Sequence, residues 1–243
     1  MLTVEEIQRY CRQILIPQMG EEGQEKLKRA KVFIAGAGGL GSPVSIYLAA
    51  AGVGHLRLVD HDTVDLTNLN RQIAHWTADV GRRKVDSAQE KLSKLNPNAT
   101  VEALSVTISE ENVSELVQGF DLIVDAMDNL PIRYLLNQTA IARGIPFFHG
   151  AVNGFEGRAM TVIPGKTACL RCLYRGPVPA TKFPVIGVTP AVIGCIQATE
   201  VIKYLVGIGD LLANRLLTYD GLNVKFTEFK VQRNPQCEHC AHL

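Results

Sequence analysis

Between Val32 and Gln72 the chain sets glycines, acids, amides and a cation at intervals that suit the phosphates of a nucleotide. An apolar strand runs into Gly36-Ala37-Gly38-Gly39-Leu40-Gly41, a helix follows, and a second strand ends at Asp60. Gly36, Gly38, Gly39 and Gly41 let a backbone approach phosphate oxygens closely. The N-terminus of the next helix offers unpaired N–H groups and a partial positive charge. Ser42 reads as that helix's N-cap and Pro43 as a residue of its first turn. Asp60 stands where a Rossmann site places its ribose-binding carboxylate, about 20 residues beyond the turn. Such a turn by itself serves a dinucleotide or nothing at all, and the residues that redirect it are Arg71, Lys84 and Asp128. Taken singly, each cation is what a protein surface carries. Taken with a phosphate-cradling turn, they read as charge neutralisers for a triphosphate, with Asp128 as the carboxylate that holds Mg²⁺ against phosphate oxygens.

Cys169-Leu170-Arg171-Cys172 and Cys237-Glu238-His239-Cys240 supply a second chemistry. Each Cys-x-x-Cys pair spaces two thiolates to share one metal, and the four together make a tetrahedral tetrathiolate, which suits zinc. No coordination position is left open, so the zinc reads as structural, tying the C-terminal tail to the body. His239 and His242 read as exposed bystanders. A redox pair fits less well, since neither knuckle opens a helix after a thioredoxin-like strand. Cys11, on the apolar face of the first helix, and Cys195, inside a helical run, read as packed thiols rather than nucleophiles.

These residues need a scaffold, and the hydrophobic pattern supplies one. Residues 3–29 read as helical, with Ile7, Tyr10, Cys11, Ile14 and Leu15 on one side and breaks at Gly20 and Gly23. Strand-like runs recur at 32–35, 55–60, 101–106, 121–127, 146–151 and 159–163, separated by helical stretches near 43–51, 81–95, 110–118 and 131–143. That alternation predicts an α/β fold, a Rossmann-like doubly wound and mostly parallel sheet. Asp128-Asn129 follows the carboxyl end of a buried strand, where open α/β sheets bind ligands. A helix near 190–206 and two strands, 216–219 and 224–231, joined at Asp220-Gly221, complete the chain. The expected organisation is a single domain over 1–243: a helical arm at 1–30, a nucleotide-binding core at 31–165, and the zinc knuckles, crossover loop and C-terminal strands at 166–243.

The 243 residues are long enough for one sizeable core, and 20% charged with 47% apolar residues is ordinary globular composition. A net charge of +1 gives no electrostatic case for nucleic acid. No segment reaches the roughly 18 apolar residues of a membrane span, and the start has no secretory pattern, so a cytoplasmic protein is expected, with its cysteines as thiols or metal ligands.

The glycine turn, Val59-Asp60-His61-Asp62-Thr63-Val64, Asn68-Leu69-Asn70-Arg71-Gln72, Lys84, Asp125-Ala126-Met127-Asp128-Asn129 and the two knuckles, in this order, closely resemble the MoeB/ThiF/HesA adenylyltransferases, bacterial relatives of the ubiquitin-activating enzymes. The resemblance covers nearly the whole chain. It implies ATP-dependent adenylation of a carboxylate, usually the C-terminal glycine of a ThiS/MoaD-like sulfur carrier in thiamine or molybdopterin synthesis, giving acyl-AMP and pyrophosphate. It implies that Asp60 binds ribose, that Asn70 and Arg71 contact phosphates, that Lys84 stabilises the α-phosphate and that Asp128, with Asn129 beside it, positions Mg²⁺. It further implies a homodimer in which Arg12 reaches the other subunit's site like an arginine finger. Gln72 is expected only to pack or to order its loop.

The chain departs from that family in its crossover loop. Many members carry a cysteine there for a thioester or persulfide step; Leu173–Pro190 contains none, and Phe183, Pro184 and Val185 stand about where it belongs. Catalysis is therefore expected to stop at the adenylate, with sulfur or another nucleophile delivered by a different protein, a separate sulfurtransferase being one candidate. Adenylation of a small-molecule or peptide carboxylate is the close alternative. A nicotinamide oxidoreductase would leave Lys84, Asp128 and Arg12 without roles, and a non-catalytic scaffold for a ubiquitin-like partner would leave the whole nucleotide set unused.

Overall fold

Among the described residues the strands assemble into one eight-stranded sheet. The computed structural model describes residues 1–174 and 184–243. Three short helices, α1 (Val4–Arg9), α2 (Cys11–Ile14) and α3 (Gly20–Arg29), precede β1 (Lys31–Ala35), α4 (Gly41–Ala51) and β2 (His55–Val59). Next come α5 (Lys84–Leu95), β3 (Thr100–Leu104), α6 (Val113–Leu116), β4 (Leu122–Asp125), α7 (Leu130–Arg143), β5 (Phe147–Asn153) and β6 (Glu156–Val162). The remaining elements are α8 (Leu170–Leu173), α9 (Val188–Val206), β7 (Arg215–Asp220) and β8 (Lys225–Lys230).

The sheet order is β3-β2-β1-β4-β5-β6-β7-β8. The first five strands are mutually parallel and the last three join antiparallel, so the strands of the C-terminal region extend the sheet of the nucleotide core. Alternation across the pleat divides the interior in two. Val32, Ile34, Leu122, Val124 and Phe148 face the layer of α4, α5 and α9, whereas Phe33, Ala35, Ile123 and Phe147 face α6, α7 and the buried cysteines. Strands buried on both faces read as unbroken apolar runs because a helix layer covers each side.

Three expectations change in the arm and the first crossover. Cys11 is exposed, as are Ile7 and Leu15; Tyr10 is the inward residue, its hydroxyl accepting from Asn96 Nδ2 at 2.7 Å. The helix breaks at Tyr10, which both ends α1 and begins α2, so no single 3.6-residue period carries one apolar face through the arm. Ser42 is not the N-cap: α4 is entered through Leu40, and Ser42 lies inside the first turn, its hydroxyl fully buried and without a hydrogen-bond partner among the described residues. No described helix is long and apolar enough to cross a membrane.

Candidate nucleotide site and metal centre

The strand order reverses between β1 and β4, and the crevice outside their carboxyl ends is the position where doubly wound sheets bind ligands. The glycine turn leaves β1 there. Gly36 has φ +100°, and a Cβ on it would sit 2.6 Å from Ala126 O at the end of β4. A Cβ on Gly41 would lie 1.9 Å from Gly36 O, so α4 can start this close to the strand only with glycine at that position.

Two side chains hold the turn from the β2 side. Asp60 Oδ2 accepts from Ala37 N at 2.8 Å and its Oδ1 accepts from Asp62 N at 2.9 Å. The buried His75 spans from Ala37 O, 2.9 Å from its Nε2, to Ser87 Oγ on α5, 3.0 Å from its Nδ1. A carbonyl only accepts, so Nε2 carries the proton and Nδ1 takes the serine hydroxyl. Burial keeps the imidazole pKa below its ordinary value, against the pull of its bond to Ala37, and the ring stays neutral. Gln72 is buried with its amide against Gly38, and its Oε1 has no partner among the described residues.

Lys84 is the first residue of α5 and is 6% exposed, not the solvated surface lysine its flanking arginines suggest. Its Nζ donates to Asp62 Oδ2 at 2.7 Å and its backbone N to Asp62 O at 3.0 Å. Burial works against Asp62's charge, but the bond and charge of Lys84 outweigh it and hold the carboxyl below its usual range. Arg71 is half-buried; its Nη1 donates to Thr67 O at 2.8 Å and to Asn70 Oδ1 at 3.0 Å, and its stem runs beside Gly39. Asp128 is exposed two residues beyond Ala126, with only Asn129 Nδ2, at 3.5 Å, within hydrogen-bond reach among the described residues. Asn129 serves chiefly as the N-cap of α7, its Oδ1 accepting from Ile132 N at 3.1 Å.

Asp60, Lys84, Arg71, Asn70 and the turn from Gly36 to Gly41 thus converge at one crevice, and Asp128 flanks it. Arg12 stands apart: it is exposed and has no partner among the described residues. Its neighbour Gln13 donates to Ala51 O at 3.1 Å, at the far end of α4 from the glycine turn. Eleven helical residues lie between, about 16 Å of helix. Asp62 and His75 are the residues that motif reading passed over. Asp62 carried a signal, since an acid two residues after a strand-ending Asp60 faces the same crevice; His75 became legible only through its contacts.

The four knuckle cysteines gather as their spacing predicts, all buried, with ligand atoms within 4.8 Å of one another. Sγ separations are 3.9 Å for Cys169–Cys172, 3.6 Å for Cys169–Cys237 and 3.5 Å for Cys172–Cys240. A regular tetrahedron with Zn–S bonds of about 2.3 Å has edges of about 3.8 Å, so the sulfurs fit a zinc ion. Burial pushes the Cys169 thiol pKa up, and the Cys240 thiol up to about 11. Four thiolates gathered this closely would need a dication to offset their charge. Asn234 N donates to Cys172 Sγ at 3.4 Å. His239 is not the exposed bystander expected from sequence: it is half-buried, 3.0 Å from Asn137 Nδ2 and edge-on to Tyr134, where it braces the second knuckle on α7. Cys195 is half-buried with its thiol pKa raised by burial, the opposite of a nucleophile's environment. Of the three residues at the expected crossover thiol, Phe183 lies outside the described residues; Pro184 O accepts from Gly154 N at 2.6 Å and Val185 bridges to Gly154.

Residues 10–239 match the ThiF family. The sulfur carrier protein adenylyltransferase of Thermus thermophilus is 46% identical, over 98% of this chain and 92% of that protein. The SAMP-activating enzyme E1 of Haloferax volcanii is 44% identical, over 98% of this chain and 90% of that protein. Among solved structures, E. coli MccB with ATP superposes with a TM-score of 0.85 at 26% identity, covering 96% of this chain and 73% of that one. With a match that leaves out only a few residues at either end, and with relatives this similar along almost their whole length, this protein belongs to the ThiF family.

Proposed function

We propose that this chain uses ATP to adenylate a carboxylate, and that the carboxylate is the C-terminal glycine of a small ubiquitin-like sulfur carrier. The observation that carries the reading is Lys84. A lysine this buried, held by Asp62 beside a glycine turn, is a fixed positive charge aimed at phosphate chemistry rather than at hydride transfer. The substrate class follows the relative at 46% identity, named a sulfur carrier protein adenylyltransferase.

A carboxylate is a poor electrophile until one oxygen joins a good leaving group. Its oxygen attacks the α-phosphate of ATP, the bond from the α-phosphorus to the bridging oxygen breaks, and pyrophosphate departs with the electron pair, leaving acyl-AMP. Negative charge builds on the α-phosphate and on the departing pyrophosphate. Lys84 and Arg71 stabilise it, with Asn70 and the N–H groups of the glycine turn as donors, while Asp60 takes the ribose hydroxyls. Asp128, with Asn129 beside it, would hold Mg²⁺, which when bound neutralises phosphate charge.

Arg12 acts in a homodimer, inside the partner's site. The support is its position at the far end of α4 from its own glycine turn, a separation longer than an arginine side chain. The zinc is structural. With no cysteine between Leu173 and Pro190, the reaction on this chain ends at the adenylate and a separate sulfurtransferase supplies the nucleophile. A reducing cytoplasm is the compartment that suits clustered thiols.

Adenylation of a peptide carboxylate is the second reading, favoured by the likeness to E. coli MccB, solved with MccA-N7isoASN, at a TM-score of 0.88. ATP–pyrophosphate exchange separates the two. Stimulation by carriers ending in Gly-Gly is expected; stimulation only by small acids or by peptides without a carrier fold overturns the first reading.

A further inference from the structure

Beneath the turn that carries Asp128 lies a histidine that the chemistry above does not use. His149 on β5 and Asp125, the last residue of β4, are opposite one another in the parallel register, and both are fully buried. His149 Nδ1 stands 2.7 Å from Asp125 Oδ2. A carboxylate accepts, so Nδ1 carries the proton, and Nε2 is left to accept from the Tyr174 hydroxyl at 3.4 Å. Burial lowers the imidazole pKa, while Asp125 pulls it upward, and the ring remains neutral.

A carboxylate with no exposure is strongly destabilising unless each oxygen is matched. Here the matching is directed at one residue. Asp125 Oδ1 accepts from Met127 N at 3.1 Å, and Arg133 Nε lies 3.7 Å from Asp125 Oδ2. The same guanidinium donates to Met127 O, from Nε at 3.1 Å and also from Nη2. Both polar backbone atoms of Met127 are therefore fixed, one by Asp125 and one by Arg133. Met127 immediately precedes Asp128, whose own carboxylate has only the long approach of Asn129 among the described residues. What is fixed at Asp128 is therefore the backbone that leads into it.

We propose that His149 is a positioning residue: by donating to Asp125 Oδ2 it orients that carboxylate so that Oδ1 holds Met127 N, and this presets Asp128 for a divalent cation bound with nucleotide phosphates. The inference rests on the reading of Asp128 as the carboxylate that holds Mg²⁺. Without the imidazole donor, the Asp125 carboxylate is free to turn toward Arg133 and release the Met127 N–H. The glycine turn, Asp60 and Lys84 are untouched by that change, so nucleotide still binds; what is lost is the tightening that Mg²⁺ adds.

The test is calorimetric titration of full-length protein with α,β-methylene-ATP, with and without Mg²⁺, which reads binding rather than turnover. In the unaltered protein Mg²⁺ is expected to tighten binding by about tenfold or more. Asparagine offers its side-chain N–H from about the place of histidine Nδ1, and glutamine from about that of Nε2. His149→Asn is therefore expected to keep the Mg²⁺ effect and His149→Gln to lose it, while Tyr174→Phe keeps it. Arg133→Met removes the other half of the Met127 clamp without touching His149, and is expected to reduce the same factor even if His149→Gln fails to fold. An unchanged Mg²⁺ factor in His149→Gln, or in Arg133→Met, overturns the inference. Asp128→Ala separates it from its premise: a Mg²⁺ effect that survives in Asp128→Ala refutes the reading of Asp128. Loss there together with retention in His149→Gln refutes only the positioning role.

Discussion

Lys84 and Asp62 illustrate how little a single residue type says before its partner is known. A lysine after Gly81-Arg82-Arg83 has the sequence context of a solvated helix start, yet burial and a 2.7 Å bond to Asp62 make it a fixed charge. Lys84→Ala is expected to lower ATP–pyrophosphate exchange about a hundredfold, the loss typical of removing one preorganised electrostatic donor. Its melting temperature should stay close to the unaltered value, because the abandoned Asp62 is half exposed and can be hydrated. Exchange near the unaltered rate would remove Lys84 from the chemistry. Asp79 makes a different kind of prediction. Burial opposes its charge, but Lys91 and the Trp76 N–H overcome that and hold its carboxyl at about 2, against an ordinary value of 3.8. The unfolded chain then binds more protons between these values, so this group's contribution is whole above about pH 4 and fades as pH falls toward about 2. Urea titrations across that range should show a shallower acid loss in Asp79→Asn than in the parent, from a lower starting stability.

At the level of elements, the nucleotide crevice depends on how closely α4 and β4 approach the turn after β1. Gly41 allows the helix to start against Gly36 O, and nothing larger fits without displacing backbone. Gly41→Ala should destabilise the fold by about 2 kcal/mol or more, as overpacking of a well-packed interior does, and weaken nucleotide binding with it; chemical denaturation and nucleotide titration read both. A stable Gly41→Ala protein with normal binding would mean that the turn has slack the geometry does not reveal. Elements also explain what motif reading misplaced. The arm's apolar residues suggest one amphipathic helix, but a break at Tyr10 resets the phase and leaves Cys11 outside. Ser42 has the side chain of a cap, but the chain turns helical one residue earlier, at Gly41.

For the whole molecule, two long-range connections matter. The cysteine cluster, closed by a metal, would join residues 68 apart in sequence, Cys169 to Cys237 and Cys172 to Cys240. A cross-link closing a loop of that length stabilises by about 4 kcal/mol in the chain-entropy picture. Metal removal with a strong chelator should therefore lower the melting temperature well before it weakens nucleotide binding, since no zinc ligand belongs to the crevice. Equal loss of both would place the metal nearer the chemistry. The second connection is the proposed dimer. If Arg12 acts across it, a mixture of Arg12→Ala and Lys84→Ala chains forms mixed dimers with one intact site each, restoring about a quarter of the activity in a twofold assembly. No recovery on mixing would confine Arg12 to its own subunit or to no catalytic role.

The sequence by itself determined the parts whose logic is local. A strand, a glycine turn and a helix follow from spacing and sterics, the sheet from alternating apolar runs, and each half of the cysteine cluster from a Cys-x-x-Cys pair whose spacing is set within four residues. Tertiary structure decided which polar groups lose their water. Nothing in Gly81-Arg82-Arg83-Lys84 announces that Lys84 will be buried against Asp62, and nothing in Phe147-Phe148-His149 or Ile123-Val124-Asp125 announces that two ionisable groups will meet at 2.7 Å. Those meetings depend on strand order and register, which bring β4 beside β5 across a crossover of some twenty residues. Spacing along a chain reports which groups can share a helix or a turn; which groups must satisfy one another in the dry interior is settled only when the layers close.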